Sequence, residues 1–215
     1  RHVASVLLHY RARLIDSLFV PLLVGQPSDD AARLGLDLGR RLHNITLQCG
    51  EEGPFAQVMG AVDQALWDMA ARRRGIPLWR LVGGDGTDKN TTRVYASGLG
   101  PTNVVATARA QQARGFTAFK FKVGFGAKID EANFTDLREA VGDDVTIMID
   151  ANQAWGLDEA RAQMERLATF RPAWVEEPLA ADCSLDSWST LSSSMSIPLA
   201  AGENVRGLQA FENQL

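Results

Sequence analysis

Residues 118–150, AFKFKVGFGAKIDEANFTDLREAVGDDVTIMID, decide the fold of this protein. Charged and apolar residues alternate over 119–123, which is the pattern of a β-strand with two different faces. We assign residues 129–140 to a helix, and residues 145–149 form a short apolar run typical of a buried strand. A strand, a helix and a second strand in this order predict a unit of a parallel sheet.

The same alternation continues on both sides of this unit. Strands are predicted at residues 93–97, 118–123, 145–149, 173–175 and 197–200, and helices at 103–114, 129–140, 157–168, 185–194 and from 208 onward. The strand ends fall at Lys122, Asp150, Glu176 and Glu203, at intervals of 28, 26 and 27 residues, each the length of one βα unit. Five such units with polar strand ends predict an α/β fold, a partial TIM-type (β/α) barrel. A doubly wound sheet is the alternative, but the chain lacks a convincing Gly-rich phosphate loop after its first strand.

The chain before residue 90 is predicted to be helical. Helices are expected over residues 3–23, 31–42 and 56–74, with a polar loop over 44–54. Pro21 should interrupt the first helix, Asp30 belongs to the turn that caps the second, and Gly75 should end the third. Gly83-Gly84-Asp85-Gly86 then marks a boundary. We therefore expect two domains, residues 1–90 and residues 91–215.

The composition excludes several classes of protein. Hydrophobic residues make up 46% and charged residues 22% of the chain, as in ordinary globular domains. A net charge of −4 and a pI of about 5.4 argue against nucleic acid as a partner. No apolar run approaches the ~20 residues of a membrane span, and no signal-peptide pattern opens the sequence. Cys49 and Cys183 form no metal-type or redox-type pair, which favours a cytoplasmic protein.

Acidic residues end three of the predicted strands. In a closing barrel, the strand ends that carry Asp150, Glu176 and Glu203 meet at one rim. Three carboxylates at one rim repel each other unless a cation neutralises them, and hard oxygen ligands suit Mg²⁺ or Mn²⁺. The alternative is that each acid merely caps the following helix, although Glu is not a favoured N-cap residue.

Two lysines share a face of the second strand. In Phe119-Lys120-Phe121-Lys122-Val123 the alternation puts both ammonium groups on one side and both phenyl rings on the other. Two neighbouring ammonium groups disfavour each other's protonation, which lowers the pKa and makes lysine a usable base near neutral pH. The alternative is an edge strand with one solvated lysine face.

Lysine, cation and carboxylates together define a class of reaction. A substrate carboxylate binds the metal, a lysine removes the weakly acidic α-proton, and the cation stabilises the enediolate that forms. The sequence thus predicts an enzyme that removes the proton next to a substrate carboxylate.

Four motifs in order resemble the mandelate racemase subgroup of the enolase superfamily, within the mandelate racemase/muconate lactonizing enzyme family. They are Phe119-Lys120-Phe121-Lys122-Val123-Gly124, Asp150-Ala151-Asn152-Gln153, Trp174-Val175-Glu176-Glu177-Pro178 and Gly202-Glu203-Asn204. The use of a Lys or His base with Mg²⁺ in this superfamily is established chemistry. Residues 61–84 resemble the end of the family's α+β capping domain, so residues 1–90 would be the helical part of that lid. Residues 91–215 would be the N-terminal half of the barrel, about strands one to five of eight.

The resemblance implies a role for each acid of the motifs. Asp150, Glu176 and Glu203 would ligate Mg²⁺, and Asn152 and Glu177 would support the metal site from outside its ligand shell. Glu rather than Asp at position 203 favours the mandelate racemase-like subgroup over the muconate cycloisomerase-like one.

The resemblance also implies roles for the lysines. Lys122 would be the base, while Lys120 would depress its pKa and touch the substrate carboxylate. The reaction that we favour is dehydration of an acid sugar, a lyase activity. Racemisation or epimerisation of a 2-hydroxy acid or related carboxylate, or cycloisomerisation, are alternatives, and a non-catalytic barrel is a further one. A small-molecule carboxylate is the expected substrate, and the family commonly forms homo-oligomers.

The chain departs from the family pattern in two ways. The family barrel has eight strands and we predict five, and no histidine follows His43 to supply the family's opposite-face His–Asp pair. An isolated half barrel would leave an open strand edge. We therefore expect the native polypeptide to be longer and this segment alone to be inactive.

Overall fold

The computed structural model describes residues 9–49, 53–84, 92–205 and 208–214. The chain divides into two units, Arg1–Thr91 and Thr92–Leu215. Among the described residues, no helix has the length and apolar character needed to cross a membrane.

The described part of the first unit is helical. Residues 9–23 form one helical segment that contains a π-helical turn, Ile15–Phe19, and ends in α1 (Val20–Leu23). The remaining helices are α2 (Ala31–Cys49), α3 (Gly53–Arg73) and α4 (Leu78–Leu81). Their core is built from nine buried residues: Phe19, Ala31, Leu34, Leu38, Leu42, Phe55, Val58, Leu66 and Ala70.

Two helix ends in this unit follow the sequence. The backbone N–H of Arg33 donates to Asp30 Oδ1 at 2.9 Å, so Asp30 caps α2 as predicted. Gly75 lies at φ +64° beyond α3, and the N–H of Ile76 donates to the carbonyl of Ala71 at 3.2 Å. This is the expected glycine-assisted end of a helix.

The first helix ends at Leu23, as predicted, and its α-helical pattern is interrupted just before Pro21 by the π-helical turn, which widens the backbone where a proline ring would otherwise crowd a carbonyl. One prediction for this unit is wrong. The loop predicted over 44–54 is helical through Cys49 and again from Gly53, and residues 50–52 lie outside the described residues. Ile45 packs against the core and Thr46 Oγ1 donates to the carbonyl of Leu42 at 3.0 Å, so packing overrides the polar composition.

The second unit alternates strands and helices. Its strands are β1 (Ala96–Leu99), β2 (Ala118–Lys122), β3 (Thr146–Asp150), β4 (Val175–Glu176) and β5 (Leu199–Ala200). Its helices are α5 (Val104–Gln112), α6 (Ala127–Val141), α7 (Leu157–Ala168), α8 (Leu185–Ser194) and α9 (Leu208–Gln214). All strand pairs are parallel, in the order β1-β2-β3-β4-β5. The prediction of five parallel βα units is confirmed.

The first strand is shifted from its predicted position. We expected residues 93–97, whereas β1 begins at Ala96, which pairs with Phe119, and continues to Leu99. Gly98 lies at φ +81° and the register slips between Ala96 and Leu99. The glycine allows an irregularity that side-chain alternation does not reveal.

The core of this unit lies between the outer face of the sheet and the helices. Phe119 and Phe121 are fully buried there, and the ring of Phe121 meets that of Phe134 edge-on at 5.0 Å. Burying one such aromatic side chain stabilises the fold by about 2–3 kcal/mol. Because β2 turns its phenyl rings toward the helices, its two lysines are left on the inner face of the sheet.

Candidate active site

Strand register brings Lys122, Asp150 and Glu176 side by side. Lys122 is the pairing partner of Asp150, and Asp150 is that of Glu176. We call these three residues the cross-strand row. The N–H of Ala151 donates to the carbonyl of Glu176 at 2.9 Å, so the pairing continues past the strand ends. The row therefore stands at the C-terminal end of the sheet on consecutive strands.

Neither of these two acids caps the helix that follows it. The N-cap position of α7 is Gly156, and that of α8 is Ser184, whose hydroxyl accepts from the N–H of Ser187 at 3.2 Å. The helix-cap alternative therefore fails for Asp150 and Glu176. The edge-strand alternative for the lysines fails as well, since β2 lies between β1 and β3.

Lys120 lies one layer below the row and is buried. Its Nζ is 2.5 Å from Glu176 Oε2 and 3.5 Å from Asp150 Oδ2, and it lies 5.6 Å from the centre of the Tyr95 ring. Only 8% of the residue is exposed. One ammonium group thus bridges the two carboxylates of the row.

The pKa of Lys120 moves in the direction opposite to our expectation. Burial alone lowers this pKa, but the hydrogen bond and charge of Glu176, with the charge of Asp150, outweigh burial and raise it. The expected lowering rested on repulsion between two lysines. In the structure, carboxylates contact the ammonium group instead, and they favour its charged form.

Lys122 lies at the more exposed end of the row. Its Nζ is 3.0 Å from Asp150 Oδ2 and is hydrogen-bonded to Asn152 Oδ1, and 33% of its side chain is exposed. Asn152 lies at φ +47°, and its N–H donates to Asp150 Oδ1 at 3.0 Å. Asn152 therefore touches both the predicted base and a predicted metal ligand.

Glu203 is not a member of the row but is close enough to feel its charge. It is exposed on the turn that follows β5. Partial burial and the charges of Glu177, Asp150 and Glu176 raise the pKa of Glu203, against the opposing effect of Lys122. A carboxylate whose ionisation is opposed by three others marks a concentration of negative charge.

The predicted ligands fit a hard divalent cation in kind and in their placement at the sheet end. Asp150, Glu176 and Glu203 offer carboxylate oxygens, the donors that Mg²⁺ prefers. Among the described residues, no three His, Cys, Asp or Glu side chains are already arranged around one cation position. Lys120 contacts both Asp150 and Glu176, and Lys122 contacts Asp150.

Glu177 turns away from the row. It is 1% exposed, lies at φ +40°, and accepts from Asn204 Nδ2 through both carboxylate oxygens, each at 2.9 Å. Its carbonyl accepts from the N–H of Gln153 at 2.7 Å. Asn204 and Gln153 stood in the sequence motifs, but sequence reasoning assigned them no role. Their position one and three residues after predicted ligands was the available signal.

Sequence reasoning also missed Asp130. This carboxylate is 0% exposed and accepts from the N–H of Gly124 at 2.9 Å and from that of Phe125 at 3.3 Å. It thereby fastens the loop that follows β2. A Cβ on Gly124 would come within 2.6 Å of the Ala154 Cβ, so this loop also presses against the loop that follows Asp150. The signal was a single acid in the first turn of α6.

Asp130 makes the stability of this unit depend on pH in a specific direction. Burial raises the pKa of Asp130, although the N–H groups of Gly124, Phe125 and Gly126 oppose the shift. The folded state then binds the proton more tightly than the unfolded state, so stability falls as pH rises from about 3.9 to the raised value. We expect the unfolding free energy of wild type minus that of Asp130→Asn to fall through this window.

Urea unfolding at a series of pH values measures this difference. Asp136→Asn is the matched control, because Asp136 is exposed on the same helix. Its difference from wild type should not fall in that window. If the unfolding free energy of wild type minus that of Asp130→Asn rose with pH in this window, the pKa of Asp130 would not be raised in the folded state.

A half barrel of parallel strands with lysines and carboxylates at its C-terminal rim defines the class of the protein, a (β/α)-barrel protein with a carboxylate-rich site. Two family models match the chain, one in each of its two units. Residues 8–83 match the mandelate racemase/muconate lactonizing enzyme N-terminal domain, and residues 103–215 match the enolase C-terminal domain-like family. The chain belongs to the mandelate racemase/muconate lactonizing enzyme family of the enolase superfamily.

Known relatives agree with this placement. The chain is 33% identical over 207 residues to the 3,6-anhydro-alpha-L-galactonate cycloisomerase of Streptomyces coelicolor, covering 94% of this chain and 55% of that protein. It is 32% identical over 214 residues to the D-galactonate dehydratase of Xanthomonas euvesicatoria, covering 95% and 55%. A solved racemase from Streptomyces coelicolor with bound magnesium matches with a TM-score of 0.83 and 32% identity, covering 96% and 57%. The chain spans about half the length of the curated relatives it matches.

Proposed function

We propose that the full-length protein removes the proton next to a substrate carboxylate with the help of Mg²⁺, and that the overall reaction is dehydration of an acid sugar. The observation that carries this proposal is the cross-strand row, with Lys120 beneath it. Two lysines and two carboxylates on neighbouring strand ends are poorly suited to core packing, but they are suited to proton transfer next to a substrate carboxylate.

The metal would be held by Asp150, Glu176 and Glu203. When bound, Mg²⁺ would hold the substrate carboxylate and stabilise the charge that develops there as the α-proton leaves. Mn²⁺ has similar ligand preferences and is a second candidate. Support comes from the donor set of three carboxylates and from the proximity of Glu203 to the negative charges of Asp150 and Glu176, which a cation would relieve.

The lysines have different surroundings and are proposed to have different roles. Lys122 is partly exposed and reaches the open end of the row, so we assign it the proton transfer. Lys120 is buried between two carboxylates, whose contacts favour the charged form of its ammonium group. A protonated Lys120 suits a positive group that holds the substrate carboxylate, while Asn152 orients Lys122 through its amide oxygen.

Dehydration of a polyhydroxy acid requires a proton to leave C2 and hydroxide to leave C3. The enol that results rearranges to a 2-oxo-3-deoxy acid, and one water is released. The D-galactonate dehydratase relative supports hexonates as the substrate class. Cycloisomerisation is the second candidate, because a cycloisomerase matches over 94% of the chain at 33% identity. Racemisation or epimerisation needs a second catalyst on the opposite face of the substrate.

Incubation of full-length protein with Mg²⁺ and a panel of hexonates in D₂O tests the proposal. We expect at least one hexonate to lose its C2 proton and to yield a 2-oxo-3-deoxy acid that carries one solvent deuteron at C3; proton NMR and mass spectrometry measure both changes. A cycloisomerase would give a product of unchanged mass, and a racemase would give exchange without loss of water. Absence of both exchange and turnover with every carboxylate in the panel would contradict the proposed chemistry.

Three further expectations accompany this function. Residues 1–90 are proposed as the helical portion of the capping domain and residues 91–215 as half of the barrel. We place the protein in the cytoplasm, and Cys183 is a free thiol, as such a location favours. We also propose a homo-oligomer, supported by the exposed Trp79 and Val82 of the first unit, which are 41% and 60% exposed.

A further inference from the structure

Glu177 lies where three loops meet. Its N–H donates to the carbonyl of Ala200 at 2.9 Å, and its own carbonyl accepts from Gln153 at 2.7 Å. Its carboxylate accepts from Asn204 Nδ2 at 2.9 Å through both oxygens. The N–H and the carboxylate of Glu177 therefore contact the segment over residues 200–204 that carries Glu203, its carbonyl contacts the loop that follows Asp150, and Glu177 itself follows Glu176.

The connections run between neighbours of those ligands. Glu177 follows Glu176 directly, Asn204 follows Glu203 directly, and Gln153 is three residues after Asp150. Gln153 Oε1 also accepts from the N–H of Ala181 at 2.8 Å, which adds a second link between the loops after β3 and β4. The three loops cannot shift independently while these bonds hold.

The surroundings of Glu177 exclude direct contact with substrate. The residue is 1% exposed, so its carboxylate faces protein and not the open end of the sheet. Its φ of +40° is unfavourable for a residue with a side chain. Such a conformation persists only when the contacts around it impose it.

We propose that Glu177 and Asn204 form a positioning bridge that sets the spacing of the three ligand-bearing loops, and that divalent metal affinity depends on this bridge. The inference rests on the proposed metal site. Mg²⁺ demands near-ideal octahedral geometry at about 2.0–2.1 Å, so small displacements of a ligand loop weaken its binding. Groups that orient metal ligands typically change metal affinity by about 10–100-fold.

The test measures Mg²⁺ binding to full-length protein by isothermal titration calorimetry, without substrate. Asn204→Ala removes the bridge and leaves the Glu177 charge in place. Glu177→Asp keeps the charge and withdraws it by one methylene. We expect both variants to bind Mg²⁺ about 10–100-fold more weakly than wild type. Because neither removes a negative charge, weaker binding would report geometry.

The matched control is Asn133→Ala. Asn133 Nδ2 donates a hydrogen bond to the carbonyl of Pro101 at 3.0 Å. This side-chain amide lies in the same unit, but its hydrogen bond involves none of the proposed ligand loops. Melting temperatures of all variants show the structural cost of each change. The control should keep wild-type Mg²⁺ affinity even if its melting temperature falls as far as that of Asn204→Ala. If Asn204→Ala does not fold, Glu177→Asp gives the same readout.

Three outcomes would overturn the inference. Wild-type affinity in Asn204→Ala and Glu177→Asp would show that the bridge does not position the ligands. Equal weakening in Asn133→Ala would show general loosening of the unit. Wild-type protein that binds no Mg²⁺ would overturn the proposed function as well, which distinguishes that failure from failure of the bridge alone.

Discussion

Replacing Lys122 with alanine is expected to abolish exchange of the substrate α-proton with solvent deuterium for one stereoisomer, in full-length protein with Mg²⁺. Lys122 Nζ is the ammonium group at the exposed end of the row, 3.0 Å from Asp150 Oδ2. Losing a general base costs about 10²–10⁴-fold in rate, and more where no other group can take the proton. Exchange is measured by proton NMR in D₂O.

Lys122→Arg should fail almost as badly. A guanidinium group remains protonated at every working pH and therefore cannot accept the proton. Lys128→Ala is the matched control, since Lys128 is an exposed lysine on α6, six residues further along the chain. It should exchange at the wild-type rate. If Lys122→Ala exchanged the same stereoisomer at the wild-type rate, Lys122 would not be the base.

The architecture of the second unit could be predicted because its local patterns agree with its packing. Helices α7 and α8 occupy the predicted residues, and the helix-facing sides of β2 and β3 are built from buried apolar residues, Phe119, Phe121, Ile147 and Ile149. The prediction failed where packing acts against composition. Residues 44–49 look like a polar loop, yet they continue α2 because Ile45 and Thr46 find partners there.

The candidate site was predictable in its members but not in its contacts. Alternation and the spacing of strand ends were enough to predict that Lys122, Asp150 and Glu176 share one end of the sheet. Pairing of Lys120 with Glu176 at 2.5 Å was not foreseen, because we assumed that a cation would separate the carboxylates. A carboxylate and an ammonium group this close each favour the charged form of the other.

The supporting contacts depend on backbone conformation and therefore lie beyond pattern reasoning. Glu177 lies at φ +40° directly after β4, and its carboxylate accepts from Asn204 Nδ2. Asp130 reaches the N–H groups of Gly124 and Phe125 across the turn that opens α6. No periodicity in the sequence encodes either geometry, although Glu177 stands within a motif and Asp130 lies six residues after the end of another.

Asp150→Asn is expected to weaken Mg²⁺ binding of the full-length protein by at least about 100-fold, more than the loss of an orienting residue outside the ligand shell. Asp150 is 3% exposed and occupies the centre of the cross-strand row. Asparagine preserves its size and one oxygen but removes the charge that a divalent cation requires. Titration calorimetry measures the affinity, and removal of metal with a chelator should abolish α-proton exchange in the wild type.

The same substitution should also change the electrostatic surroundings of Lys120 and Lys122. Asp150 Oδ2 lies 3.0 Å from Lys122 Nζ and 3.5 Å from Lys120 Nζ. Asparagine would therefore leave both ammonium groups with one negative charge fewer beside them. Asp143→Asn is the matched control, because the side chain of Asp143 is 78% exposed and pairs with Arg171 at 3.5 Å. Since exposed ion pairs contribute little to stability, that control should keep the melting temperature and the Mg²⁺ affinity of the wild type. If a folded Asp150→Asn variant bound Mg²⁺ with wild-type affinity, Asp150 would not be a metal ligand.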